Sequence, residues 1–110
     1  MTATSPIPPG TLEMLILTTL ARAKSLHGFE IAERIEELSD EVLRVEEGSL
    51  YPALQRLLVE GWIAGEWGRT HENRRARYYQ ITAAGRRQLD RELSAYRRVT
   101  TAIERVLQPA

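Results

Sequence analysis

The run Glu47-Gly48-Ser49-Leu50-Tyr51-Pro52-Ala53-Leu54-Gln55-Arg56-Leu57-Leu58-Val59-Glu60-Gly61 carries a helix start, an apolar stripe, a polar face and a helix stop. Ser49 reads as the N-cap, and Pro52 is expected within the first turn, where a missing N–H costs little. Gly61 ends the run. Leu50, Leu54, Leu57 and Leu58 recur at i, i+4, i+7 and i+8, one stripe of a 3.6-residue period that must lie on a core. The opposite face holds Ser49, Tyr51, Pro52, Gln55, Arg56 and Glu60. Nearly all of these can donate or accept hydrogen bonds to base edges or phosphates. Taken alone, the run also fits an ordinary amphipathic helix, and the rest of the chain has to decide.

After Gly61, Trp62 to Trp67 reads as a strand, Gly68 to Asn73 as a polar turn, and Arg74 to Ile81 as a returning strand. In the returning strand Arg75, Arg77, Tyr79 and Ile81 share one side, the period-2 split of a hairpin lying on a core. Arg69, Arg74, Arg75 and Arg77 cluster toward its tip. Arginine in that number suits phosphate or minor-groove contacts; a charged edge that guards against aggregation would also explain it.

Before the opening run, residues 1–10 are rich in Pro and Thr and read as a flexible tail. Thr11 then caps a helix ending near Ala23, apolar on most of its circumference through Leu12, Met14, Leu15, Ile16, Leu17 and Leu20. Lys24 to Gly28 reads as a turn. Ile31, Ala32, Ile35 and Leu38 mark a second helix that stops near Ser39, and Val42 to Val45 suits a short strand.

Thr82 caps a last helix that can run to about Leu107, roughly 37 Å at 1.5 Å per residue. Leu89, Leu93, Tyr96, Thr100, Ile103 and Leu107 alternate spacings of four and three, flanked by Val99 and Val106, which is a coiled-coil-like seam. So small a domain cannot cover that seam along its length, so a homodimer is expected, with packing on the apolar first helix as the competing or concurrent use. The order of elements is mainly α with a small β-hairpin: a winged helix-turn-helix domain over 11–82 and a C-terminal dimerisation helix over 83–110.

Charge balance bounds the partners. Lys plus Arg, 15, equals Asp plus Glu, 15, for a formal net charge of +0, so bulk charge does not argue for nucleic acid. Its distribution does. Gly28 to Glu47 holds eight acidic residues against two arginines, whereas Arg69 to Arg87 holds six arginines against one glutamate. One region can face a polyanion while the other faces away. With no cysteine, disulfides, thiolate metal sites and a Cys nucleophile are excluded. The N-terminus lacks the basic start and apolar run of a signal peptide, and no apolar stretch is long enough to span a bilayer. The expectation is a cytoplasmic protein with no membrane partner and no cofactor.

The segments Leu26-His27-Gly28-Phe29-Glu30-Ile31, Gly48-Ser49-Leu50-Tyr51-Pro52-Ala53-Leu54, Gly61-Trp62-Ile63, Arg74-Arg75-Ala76-Arg77-Tyr78-Tyr79 and Ile81-Thr82-Ala83-Ala84-Gly85-Arg86 resemble, in order, the signatures of the PadR family of bacterial transcriptional regulators. The single C-terminal helix resembles the short subfamily, and Gly61 to Tyr79 the subgroup described from acidobacteria. The resemblance implies a dimeric, mostly repressing regulator of a partly palindromic operator on double-stranded DNA. The third helix would enter the major groove and the wing would reach backbone or minor groove. Carried onto this chain, it puts Ser49, Tyr51, Gln55 and Arg56 at the DNA surface with Arg74, Arg75 and Arg77 in the wing, and makes Tyr79 and Ile81 wing anchors. Two departures stand out: Leu58 and Val59 replace charged residues and promise an extra packing contact, and Phe29 replaces a frequent tyrosine.

Single residues carry two readings each. His27 could meet a phosphate at the start of the second helix or simply cap that helix. His71 reads as a solvated wing tip, and two distant histidines without cysteine do not suggest a metal site. Trp67 and Tyr96 could meet an unidentified small-molecule effector, since family members that sense planar compounds do so near the dimer helix; packing in a core or interface is the stronger reading of both. Ser49, His71 and Asp90 could be drawn as a triad, but Ser49 lacks a nucleophile-elbow context, and no catalytic residues are expected. A winged-helix adaptor that binds another protein without DNA is the alternative function.

Overall fold

The computed structural model describes residues 4–109. Its elements run β1 (Ser5–Pro6), α1 (Leu12–Ala21), β2 (Leu26–His27), α2 (Gly28–Leu38), β3 (Leu43–Arg44), α3 (Glu47–Val59), β4 (Ile63–Arg69), β5 (Arg75–Ile81) and α4 (Ala83–Leu107). Four helices and a small antiparallel sheet form the winged helix fold expected from the sequence.

Helix α3 places Leu50, Ala53, Leu54 and Leu57 in the core, as the stripe requires. Its start differs from expectation. Glu46 occupies the N-cap position and its carbonyl accepts from the amides of Ser49 and Leu50 at 3.0 and 2.9 Å, so Ser49 lies within the first turn and caps nothing. Pro52 is therefore deeper in the helix than the first turn, and Gly48 loses the amide that would have bonded to its carbonyl. The helix stop is as read. Gly61 has φ +75°, its amide donates to Leu58 O, and the Trp62 amide donates to Leu57 O, both at 3.0 Å. These are the paired bonds of a Schellman motif, which needs the left-handed backbone that glycine adopts freely. Leu58 is half-buried against the core, but Val59 is 83% exposed, so the extra contact expected there is made by Leu58 alone.

Helix α1 is the central element. It packs on α2, α3, β5 and α4, and Ile16, Leu17 and Leu20 are fully buried. The buried Thr19 hydroxyl is satisfied by donating to Leu15 O at 2.8 Å. The helix ends at Ala21, slightly before the expected Ala23; Thr11 holds the N-cap position as expected, its carbonyl accepting from the Leu15 amide at 3.0 Å, but its hydroxyl donates to Pro8 O rather than capping the helix amides.

Three strands pair in the order β2-β5-β4, all antiparallel. Leu26 and His27, expected in a turn, form the edge strand opposite Tyr79 and Tyr78, because the extended backbone entering α2 can complete the ladder of β5. The hairpin turns at Thr70 to Arg74, with Asn73 at φ +60°. Near the N-terminus, Ser5–Pro6 pairs in parallel with Leu43–Arg44, and the Ser5 amide donates to Val42 O at 2.6 Å. Part of the expected flexible tail is thus a paired strand; residues 1–3 lie outside the described residues.

Thr82 caps α4 as expected, accepting from the Gly85 amide at 3.0 Å and donating to Gly61 O at 2.7 Å, which ties the end of α3 to the start of α4. Leu89 is buried and Leu93 packs against the core. Beyond them the helix runs off the domain, leaving Tyr96, Val99, Ile103, Val106 and Leu107 exposed. The seam thus divides: its first part uses α1, and its second part is uncovered. Thr100 is half-buried, its hydroxyl bonding back to Tyr96 O at 2.8 Å.

Candidate nucleic-acid interface

The outward residues of α3 are those the stripe leaves behind. Ser49, Tyr51, Pro52, Gln55 and Arg56 are all exposed. Arg56 is already engaged: its Nε donates to Glu13 Oε1 of α1 at 2.6 Å. No local sequence signal could have revealed that partner, because it lies 43 residues away.

In the wing, the register puts Ile63, Gly65, Trp67 and Arg69 opposite Ile81, Tyr79, Arg77 and Arg75 on one face. That face changes character along its length. Its base, Ile63 and Tyr79, is buried, whereas its tip is arginine and tryptophan. The Arg75 guanidinium carbon lies 4.3 Å from the Trp67 ring centroid and that of Arg77 5.9 Å from it. Each is within cation–π range, worth about 0.5–1 kcal/mol at an exposed site. Trp67, which the sequence offered as an effector contact or a packing residue, has both arginine side chains over its ring. Arg69 donates to Asn73 O at 3.1 Å across the turn, and Arg74 lies 3.7 Å from Glu72. The Tyr78 hydroxyl donates to Arg69 O at 3.1 Å, bracing the other face of the hairpin.

His27 caps α2 through a reciprocal pair. Its Nδ1 accepts from the Glu30 amide at 3.4 Å, and its own amide donates to Glu30 Oε1 at 3.1 Å. Its ring also packs edge-on against Tyr78, with centroids 5.4 Å apart, which joins the helix start to the wing. The capping reading of His27 holds in the geometry. His71 is exposed at the hairpin turn.

Between the wing and the start of α2 lies an open groove of about 830 Å³. Tyr51 of α3, Trp67, Arg75, Arg77 and Tyr79 of the wing, and Phe29 of α2 line it. The structure therefore brings Tyr51, Arg75 and Arg77 to one concavity. Gln55 and Arg56 face a different one, toward Glu13 and Trp62. Tyr79, read only as a wing anchor, turns out to border the groove as well as the core; its place next to the arginines in the period-2 pattern was the one clue. Burial pushes its phenol above the ordinary 10.0, with the nearby Arg77 opposing the shift and Tyr51 adding to it.

Tyr96 is 45% exposed on the uncovered part of α4, at a distance in sequence from the groove-lining residues. No helix among the described residues is long and apolar enough to cross a membrane.

Known proteins with this arrangement are transcriptional regulators. A transcriptional regulator from Clostridium thermocellum is 26% identical and superposes with a TM-score of 0.82 over 90% of this chain and 95% of its own. The PadR-like transcriptional regulator of Bacillus cereus is 29% identical, with a TM-score of 0.76 over 92% and 95%. The fold also matches Bacillus subtilis PadR, solved in complex with operator DNA, at 24% identity and a TM-score of 0.66 over 76% of this chain and 47% of that one. The sequence model described as the transcriptional regulator PadR-like family matches residues 16–91. Matched along most of its length by that model, this chain belongs to the PadR-like family of transcriptional regulators.

Proposed function

We propose that this protein is a dimeric, sequence-specific DNA-binding transcriptional regulator acting as a repressor. Helix α3 lies in the major groove and the wing on the backbone or in the minor groove. The observation that carries this reading is the shared geometry of α3 and the wing: an exposed polar face on a buried-stripe helix, flanked by a hairpin whose tip concentrates Arg69, Arg74, Arg75 and Arg77. Gln55 and Arg56 read base edges, Ser49, Tyr51 and Pro52 seat the helix, and His27 stands near the backbone at the start of α2. The uncovered end of α4 supports the dimer, in which two α3 helices meet half-sites about one helical turn, roughly 10 bp, apart.

The test is a titration of the purified protein against a labelled duplex from upstream of its own gene, with a scrambled competitor, at two salt concentrations. Tight binding that survives the competitor and weakens steeply with salt is expected. Arg75→Ala weakens binding to both duplexes and flattens the salt dependence, whereas Gln55→Ala relaxes preference at particular bases. Function in cells that is indifferent to the wing arginines would instead point to a protein-binding adaptor.

A further inference from the structure

We infer that the floor of the groove between the wing and α2 is an oxyanion site, built from the Tyr79 and Tyr51 hydroxyls and the Arg77 guanidinium, that takes one backbone phosphate of the DNA duplex. The inference rests on the DNA-binding reading above and adds to it a specific site.

Tyr79 is only 5% exposed, yet it borders the groove, and its hydroxyl has no hydrogen-bond partner among the described residues. With its ring fixed in the core and its place on the groove wall, this phenol is a positioned donor that a ligand oxygen can accept from. Arg77 supplies the buried unpaired donor: its Nε is buried without a partner, and no carboxylate pairs with it among the described residues. Its side chain crosses Gly65 so closely that a Cβ there would sit 2.5 Å from Nε. The glycine opposite Tyr79 is thus what lets the guanidinium fold over the groove floor. The Tyr51 ring lies against Gly28, a Cβ at which would sit 3.1 Å from its hydroxyl, and that hydroxyl too is without a partner among the described residues.

Three donors without a protein acceptor border one concavity, Arg77 and Tyr79 from β5 and Tyr51 from α3, and suit an acceptor with several oxygens. The charge agrees. Glu72 is the single acidic residue bordering the groove, against three arginines, and it is engaged with Arg74. The Tyr79 phenol is protonated at neutral pH, as any tyrosine is, and so can donate. A duplex phosphate is the occupant because Tyr51 belongs both to this floor and to the outward face of α3, so a duplex seated on α3 carries its backbone across the groove.

The test uses the full chain and Tyr79→Phe, which keeps the ring in the core and deletes one hydroxyl. We expect about tenfold weaker binding to operator and scrambled duplexes alike, with the salt slope unchanged because no charge is lost. Tyr51→Phe, away from the core, should behave in the same way. Arg77→Gln should lower the slope by about one. A scan of single methylphosphonate substitutions along the operator should find one position that weakens the wild type and does not further weaken Tyr79→Phe. Wild-type binding with Tyr79→Phe undiminished, or a scan with no such position, overturns the phosphate site and leaves the DNA-binding reading standing. A wild type that binds no duplex at all overturns both.

Discussion

Arg56 Nε and Glu13 Oε1, 2.6 Å apart, tie the outward face of α3 to the first turn of α1. The arginine side chain is 62% exposed and the glutamate 27%, so the pair lies at the surface where α3 meets solvent. The bond uses Nε alone and sets a negative charge beside the guanidinium that the proposed reading turns toward DNA.

Glu13→Gln should therefore separate stability from recognition. An exposed ion pair contributes about 0–1 kcal/mol, so thermal unfolding should shift by no more than a few degrees. Affinity for the operator should rise severalfold, because that negative charge is then gone from beside Arg56. Equal affinity in a duplex titration would show that the pair does not compete with DNA.

Gly85→Ala should be among the most damaging single-methyl changes in the chain. A Cβ at this position would lie 2.0 Å from the carbonyl oxygen of Trp62, which is backbone and cannot rotate away. That same carbonyl accepts from the Thr82 amide at 3.1 Å, so relieving the clash disturbs the junction between α3, β4 and α4. A loss of about 1–3 kcal/mol or more is expected, read by denaturant unfolding.

Tyr79 predicts an alkaline limit. Burial raises its phenol above 10.0, so the folded state holds this proton more firmly than the unfolded chain does. The associated stabilisation is complete below about pH 10 and is lost as pH climbs through the folded value. Stability measured by denaturant titration should fall over that range in the wild type and fall less in Tyr79→Phe. In a tyrosinate absorbance titration the last step should disappear in the same variant.

Ile103→Asp should split the dimer and leave the domain intact. Ile103 is half exposed on the part of α4 that lies beyond the core contacts of Leu89 and Leu93. Sedimentation at micromolar concentration should give a dimer for the wild type and a monomer for the variant, with unchanged helical signal. A variant that stays dimeric would place the dimer contact elsewhere.

The residues that order the elements were readable along the chain because the signals are local. The leucine stripe of α3, Gly61 at its stop, the alternation of β5 and the Thr82 cap each depend on neighbours within a turn or two, where spacing alone fixes which side is buried. The family motifs added their order. Element edges were less readable: Ser49 has the chemistry of a cap, but Glu46 and Glu47 already suit the positive end of a helix, so α3 begins earlier. Leu26 and His27 gave no strand signal because two residues become a strand only when β5 is there to pair with them.

The candidate site divides in the same way. That Ser49, Tyr51, Gln55 and Arg56 face outward follows from helical period alone, and that Arg75 and Arg77 share a side follows from the pleat. Distance across the chain decided everything else: Glu13 on Arg56, Trp67 beneath Arg75, Tyr51 and Tyr79 turned to one groove. Composition and spacing determine which faces of each element are wet or dry. Which wet faces come together is set by how α1 packs the pieces around itself, and that is a property of the assembled core.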